Sequence, residues 1–351
     1  MHLTIHPFRV KKRVPLTISR GTHSESTNIW LKIEQDGLEG WGEATPFSIG
    51  PLSFSADAIA QALEQLSYEL APYHPLEQQR IHLHLDRLQV SSPVRAAVDI
   101  ALHDWAGKQA NLPLWQLWGL DRERIQPTSV TIGISSPVAA QQRLQAWLQQ
   151  GSFQAVKVKL GSPQGIEADQ AMMTAILEKL PNGTKLSVDA NGGWSVANAL
   201  MMAQWLAERG VDYLEQPLEA GAEQDLTVLY EKSPLPLFVD ESCFVSSDIP
   251  ALADRVHGIN IKLMKSGGLS EAHRMIHTAR ACGLQVMFGC YSDSSLANTA
   301  LAHLSPLADH LDLDSHLNLL DDPFRGADLH NGCLIPTDEP GLGLTYHAPA
   351  P

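Results

Sequence analysis

The sequence predicts an α/β barrel of eight parallel strands, preceded by a smaller α+β unit. Three observations carry that prediction. After about Pro127, eight short β-rich runs recur at intervals of about 22 to 30 residues, most of them separated by a helical pattern. Strands that alternate with helices imply parallel pairing through crossovers. Several of the runs are apolar except for one charged residue near the C-terminal end, which suits buried strands whose ends form a functional mouth. The first fifty residues instead alternate apolar with polar side chains, the rhythm of a half-buried antiparallel meander. An open doubly wound sheet is the competing arrangement for the second part.

Taken in order, "HLTIHPFRV", "STNIWLKIEQDG" and "LEGWGEATP" read as the meander, with "QDGLEG" as a hairpin turn. From Ser55 to about Ala110 the pattern is helical. In "SSPVRAAVDIALHDWAGKQA", Ser91 or Ser92 can cap a helix whose first turn takes Pro93. "NLPLWQLWG" is a short connector. The eight runs are "TSVTIGI", "AVKVKLG", "KLSVDAN", "VDYLEQP", "PLFVDES", "GINIKLM", "LQVMFGC" and "HLDLDS", with helices such as "AAQQRLQAWLQQG" and "SVANALMMAQWLAERG" between them. A Pro/Gly-rich tail packs back on the first unit. The domains therefore read as 1–125, completed by 325–351, and 126–324.

Composition narrows the partners. A chain of 351 residues that is 44% hydrophobic and 18% charged has ample core for a globular fold. Its net charge of −14 argues against nucleic acid and against anionic lipid. No apolar run reaches membrane-spanning length, and the N-terminus shows no secretion signal. The four scattered cysteines form no C-x-x-C pair, which suits reduced thiols in a cytoplasm. A homo-oligomer is compatible with this composition.

Three of the charged strand ends are acidic. Asp189, Glu215 and Asp240 close three successive runs, each one strand–helix unit after the last. Any one of them reads equally well as a helix cap. Three in register repel each other unless a cation sits among them, and three carboxylates without Cys or His favour Mg²⁺. Lys159 and Lys262 end the flanking runs, so in a closed barrel they stand on strands two and six, across the mouth from each other. Two opposed amines can take a proton from one face of a carbon and return it to the other. Lys157 shares the strand face of Lys159.

The series K-x-K, D-x-N, E-Q-P, D-E-S and K-x-x-K-x-G-G closely resembles the enolase superfamily, in the branch typified by muconate lactonizing enzyme, over nearly the whole chain. The resemblance implies a (β/α)7β-type barrel with an N-terminal capping domain. It implies one Mg²⁺ on Asp189, Glu215 and Asp240, with Lys159 and Lys262 as the acid/base pair. Lys157 would be an auxiliary lysine that depresses the pKa of Lys159, Asn191 and Glu241 supporting residues, and Lys265 structural. The D-x-D of the last run, Asp312 and Asp314 on one strand face, resembles the element by which dipeptide epimerases hold a free α-amino group. The activity implied by the resemblance is that of an isomerase, which moves a proton at the α-carbon of the C-terminal residue of an Ala-Glu-like dipeptide, through an enediolate. The alternative is o-succinylbenzoate synthase, whose substrate has no amine for that pair; a catalytically silent barrel is the rival outside enzymes. Arg20 matches an arginine that pairs with a glutamate side chain in Ala-Glu epimerases, or is a solvated loop residue. Asp293 stands where relatives often carry Glu.

Overall fold

The computed structural model describes residues 1–347. Strands β1 (His2–Ile18), β2 (Gly21–Gln35) and β3 (Leu38–Ala44) form an antiparallel sheet in the order β1-β2-β3. Between β2 and β3, Asp36 and Gly37 both have positive φ, 54° and 76°, as a tight Asp-Gly hairpin turn requires. A short hairpin follows, β4 (Phe47–Ile49) and β5 (Leu52–Phe54), then helices α1 (Ala56–Leu70), α2 (Gln78–Arg87), α3 (Ser92–Ala110) and α4 (Leu114–Leu117). The Ser55 side chain caps α1. Helix α3 presses onto β3 so closely that a Cβ at Gly42 would lie 1.9 Å from the carbonyl oxygen of Ala97. Only glycine permits that approach.

The second part alternates β6 (Ser129–Ile132), α5 (Pro137–Gln150), β7 (Ala155–Lys159), α6 (Ile166–Leu177), β8 (Lys185–Asp189), α7 (Val196–Ala207), β9 (Tyr213–Glu215), α8 (Leu226–Lys232) and β10 (Leu237–Val239). It continues with α9 (Ile249–Leu252), β11 (Gly258–Ile261), α10 (Leu263–Ser266), α11 (Leu269–Ala281), β12 (Gln285–Gly289), α12 (Ser295–Leu304) and β13 (His310–Asp312). The eight strands pair in chain order, all parallel, and a Thr128–Leu311 bridge joins the last to the first. That order excludes the open doubly wound sheet, in which strand order reverses.

The tail forms β14 (Phe324–Arg325), β15 (Asp328–His330), β16 (Cys333–Ile335) and β17 (Thr345–Tyr346), paired β14 with β17 and β15 with β16. It packs on the first sheet through rings: Trp41 stacks on Tyr346 at 5.1 Å and meets Phe324 at 5.6 Å. Two carboxylates pin the first unit to the barrel. Glu43, in β3, accepts the Ser294 and Ala297 amides at the start of α12, at 3.0 and 3.2 Å. Asp99, in α3, accepts the amide and hydroxyl of Ser270 at the start of α11. Each is an anion at a helix N-terminus, supplied from the other unit. Among the described residues no helix is long and apolar enough to cross a membrane.

Candidate active site

The strand ends decide where the charges meet. Lys159, Asp189 and Glu215 are the last residues of β7, β8 and β9, while Asp240 and Lys262 directly follow β10 and β11. All five are buried at the C-terminal mouth of the barrel. Lys159 Nζ lies 2.6 Å from Asp189 and Lys262 Nζ 2.7 Å from Asp240. Lys157 sits deeper and is fully buried, 2.6 Å from Glu215, 2.7 Å from Asp312 and 3.5 Å from Asp189. Burial works against its charge, but these three acids hold its pKa well above the usual lysine range. Burial and the neighbouring Asp189 push Glu215 up to about 7, against the pull of Lys157. Asp240 goes the other way: Lys262 and Lys265 overcome burial and hold it far below the carboxylate range.

Three buried carboxylates are a hard-oxygen donor set of the kind Mg²⁺ takes. Among the described residues they do not stand as a preassembled cage, and lysine ammonium groups lie against each of them. Glu215 Oε2 and Asp240 Oδ1 are paired at 2.6 Å with the ammonium groups of Lys157 and Lys265. Asn191 Oδ1 and Glu241 Oε2, beside them, are buried and unpartnered among the described residues. Buried unpartnered oxygens are costly, and three clustered carboxylates repel one another, so this corner of the mouth is built for added positive charge. The residues therefore fit the metal.

The supporting residues are brought to the same place. The Asn191 amide donates to Asp189 at 3.1 Å and to Glu241 at 3.2 Å. Lys265 donates to the carbonyls of Cys243 and Asn260 and pairs with Asp240 at 2.6 Å, fixing the ends of β10 and β11. Arg20 also reaches the mouth, but its guanidinium is engaged by Glu241 at 2.8 Å and by the Asn191 carbonyl at 3.0 Å. Its side chain is held by these two partners and is still partly exposed to solvent.

The D-x-D pair needs one correction. Strand β13 stops at Asp312, and Asp314, with φ −107° and ψ −3°, heads a 3₁₀ turn instead of continuing the strand face. The two acids also differ in occupancy. Asp312 accepts from Ser129, Thr131 and Lys157, and Lys157 and Lys159 pull it down to about 2 despite burial. Asp314 accepts the Thr131 amide at 2.6 Å on one oxygen, and burial beside Asp312 pushes it up to about 6. Asp314 keeps the more available oxygen.

Several residues here were not anticipated. Asn260 donates to Glu215 at 2.8 Å. The signal was present, a lone amide inside the buried run "GINIK", two residues before Lys262. Gln216 accepts the Asp240 amide at 2.9 Å from a backbone with φ of +36°. Tyr291 places its ring 4.6 Å from Lys262 Nζ.

Burial, and then the charge of Asp293, push Glu43 up to about 8, and burial raises Asp293 as well. Glu43 accepts from Asn28, Ser294 and Ala297. A folded-state pKa above the unfolded value gives stability that is lost as pH rises through it. The melting temperature should fall between about pH 4.5 and about pH 8, and Asp293→Asn should flatten that fall. An unchanged slope would mean that Asp293 does not act on Glu43.

Two cavities open on this centre. One, of about 190 Å³, is lined by Asp314, Lys159, Tyr291, Leu16 and Ile134. The other, of about 520 Å³, is lined by Arg20, Glu241, Ile49, Leu52 and Phe244.

Residues 1–119 match the mandelate racemase / muconate lactonizing enzyme N-terminal domain, and residues 139–350 match the enolase C-terminal domain-like family. The chain is 45% identical over 346 residues to a hydrophobic dipeptide epimerase of Flavobacteria bacterium (strain MS024-2A), covering 98% of this chain and 97% of that one. It is 35% identical to an L-Ala-D/L-Glu epimerase of Bacteroides thetaiotaomicron, covering 98% and 88%. Among solved structures, the dipeptide epimerase of Enterococcus faecalis V583, complexed with Mg and L-Leu-L-Tyr, superposes with a TM-score of 0.92 at 30% identity, over 98% and 99% of the two chains.

Proposed function

The chain belongs to the mandelate racemase / muconate lactonizing enzyme family, and from that premise we propose how its site works as a Mg²⁺-dependent dipeptide epimerase. The observation that carries the reading is the pairing of opposed lysines with a carboxylate, Asp314, that keeps an oxygen for a substrate amine. A divalent cation held by Asp189, Glu215 and Asp240 would supply the positive charge that steadies the substrate carboxylate as negative charge builds on it. The remaining steps belong to the protein. Asp314, backed by Asp312, holds the free ammonium group in the smaller cavity. One lysine, as the free amine, takes the α-proton of the C-terminal residue, and the electron pair moves into the carboxylate to give an enediolate. The opposed lysine, as ammonium, delivers a proton to the other face, and the configuration is inverted. Lys157 remains charged beneath them. A dehydratase acting on a substrate without an amine would leave Asp314 unused.

The second cavity bears on the substrate's side chain. With Arg20 neutralised by Glu241, its walls are apolar at Ile49, Leu52 and Phe244. An apolar C-terminal residue suits it better than glutamate, whose carboxylate would have to displace Glu241 or sit unpaired beside it. This moves the expected substrate from Ala-Glu-like towards Leu-Tyr-like. A dipeptide panel in deuterated water, followed by mass, tests it. L-Leu-L-Tyr should exchange its α-proton at least about tenfold more efficiently than L-Ala-L-Glu, a difference of about 1.4 kcal/mol. EDTA should abolish exchange and Mg²⁺ restore it. Dehydration of the o-succinylbenzoate precursor with no dipeptide exchanged would sink the proposal.

A further inference from the structure

We infer that Tyr291 positions Lys262 and ties that lysine to the β4–β5 hairpin of the first unit. The inference rests on the epimerase reading and assigns a residue to one of its two proton-transfer faces. Lys262 Nζ stands 4.6 Å from the centroid of the Tyr291 ring. The ring face is the negative pole of its quadrupole, so it draws and orients the ammonium form of Lys262. Asp240 holds the same nitrogen from another side at 2.7 Å. Lys159, the opposed lysine, has no aromatic ring within cation–π reach among the described residues, so the two bases are held by different means.

The ring itself is held from behind. Tyr291 stacks on Phe47 with centroids 4.6 Å apart and planes only 11° from parallel. Phe47 faces Phe54 across the hairpin at 5.0 Å. The Tyr291 amide donates to Asp293 at 3.2 Å, which fixes the backbone of the loop after β12. The hydroxyl is buried and has no hydrogen-bond partner among the described residues, so what the side chain offers Lys262 is its ring face.

The other end of the hairpin faces substrate. Ile49 and Leu52, the cross-strand pair at the hairpin's turn, line the larger cavity together with Arg20 and Glu241. A side chain bound there presses on the same two strands whose base carries Phe47. Phe54, Phe47, Tyr291 and Lys262 form a continuous contact chain from the hairpin to one base and not to the other.

The test uses the asymmetry of a two-base enzyme. Each lysine exchanges the α-proton of one epimer, and Lys159→Ala identifies the epimer that Lys262 serves. Tyr291→Leu removes the ring face and should slow solvent exchange from that epimer about tenfold, leaving the other near wild type. Tyr291→Phe keeps the ring and the stack, and should regain most of the exchange that Tyr291→Leu loses, with the ratio between the two epimers returning to that of wild type. Phe47→Leu should reproduce the asymmetry of Tyr291→Leu in weaker form. Equal slowing of both epimers by Tyr291→Leu, or an equal loss in Tyr291→Phe, would overturn the inference. Wild-type enzyme that exchanges neither epimer of any dipeptide would overturn the epimerase reading and this one with it.

Discussion

Replacing Lys159 or Lys262 by alanine is expected to reduce epimerisation by about 10³-fold or more, while each variant still exchanges the α-proton of one epimer. Lys159 ends β7 and Lys262 directly follows β11, the second and sixth of a closed ring of eight, so in the proposed mechanism their amines approach the α-carbon from opposite sides. Inversion needs both, one to remove the proton and one to return it. A positioned acid or base contributes about 10²–10⁴-fold to such a step, and losing either breaks the same overall sequence. Removal and return on one face need only one base, so proton exchange without inversion survives. Lys159→Ala should retain it with one epimer and Lys262→Ala with the other, as NMR in deuterated water would show. Exchange of both epimers by either single variant would rule out the two-base arrangement.

Much of this arrangement was legible because barrel geometry maps sequence spacing onto space. A charged residue at the end of a buried apolar run has one place to go, the mouth. Asp189, Glu215 and Asp240 in successive runs must then be neighbours. Pairings across the barrel were not legible. Lys157 contacts Asp312 on the last strand through closure of the ring, and no spacing along the chain reports that distance. Nor did the shared face of Lys157 and Lys159 reveal their difference in depth, which leaves one buried among three acids and the other at the mouth. Arg20 shows a different limit. Its place in a loop near the site was readable, but its partner depends on how the first unit docks, and Glu241 reaches it first. Asp314 was misplaced because alternation in "HLDLDS" looks like a strand, while the chain there already turns. Glu43 gave no signal at all, since an acid ending a meander strand looks solvated until a helix from the barrel arrives above it.

Lys157→Met is expected to lower the melting temperature by roughly 5 °C and to eliminate turnover, with much of the lost stability returning on addition of Mg²⁺. Lys157 is fully buried and touches Glu215, Asp312 and Asp189 at once. Methionine fills similar volume but leaves three carboxylates facing each other without the charge between them. Removing one partner from a buried ionic cluster costs about 3–5 kcal/mol, because the remaining charges stay desolvated and unpaired. At about 1.4 °C per kcal/mol for a chain of this size, that gives the expected shift. The metal discriminates between two causes. If the defect is electrostatic, a dication on Asp189, Glu215 and Asp240 replaces the missing charge, and binding to the folded state alone raises its stability further. The Mg²⁺-induced rise in melting temperature should then be larger in the variant than in wild type. If the defect is one of packing, Mg²⁺ should raise both proteins equally and the gap should persist. Recovery of the fold with Mg²⁺ but not of turnover is the outcome expected here, because Asp312 loses its 2.7 Å partner and with it the support it gives to Asp314 at the amine site. Wild-type stability in the variant without metal would mean that the three acids do not need Lys157.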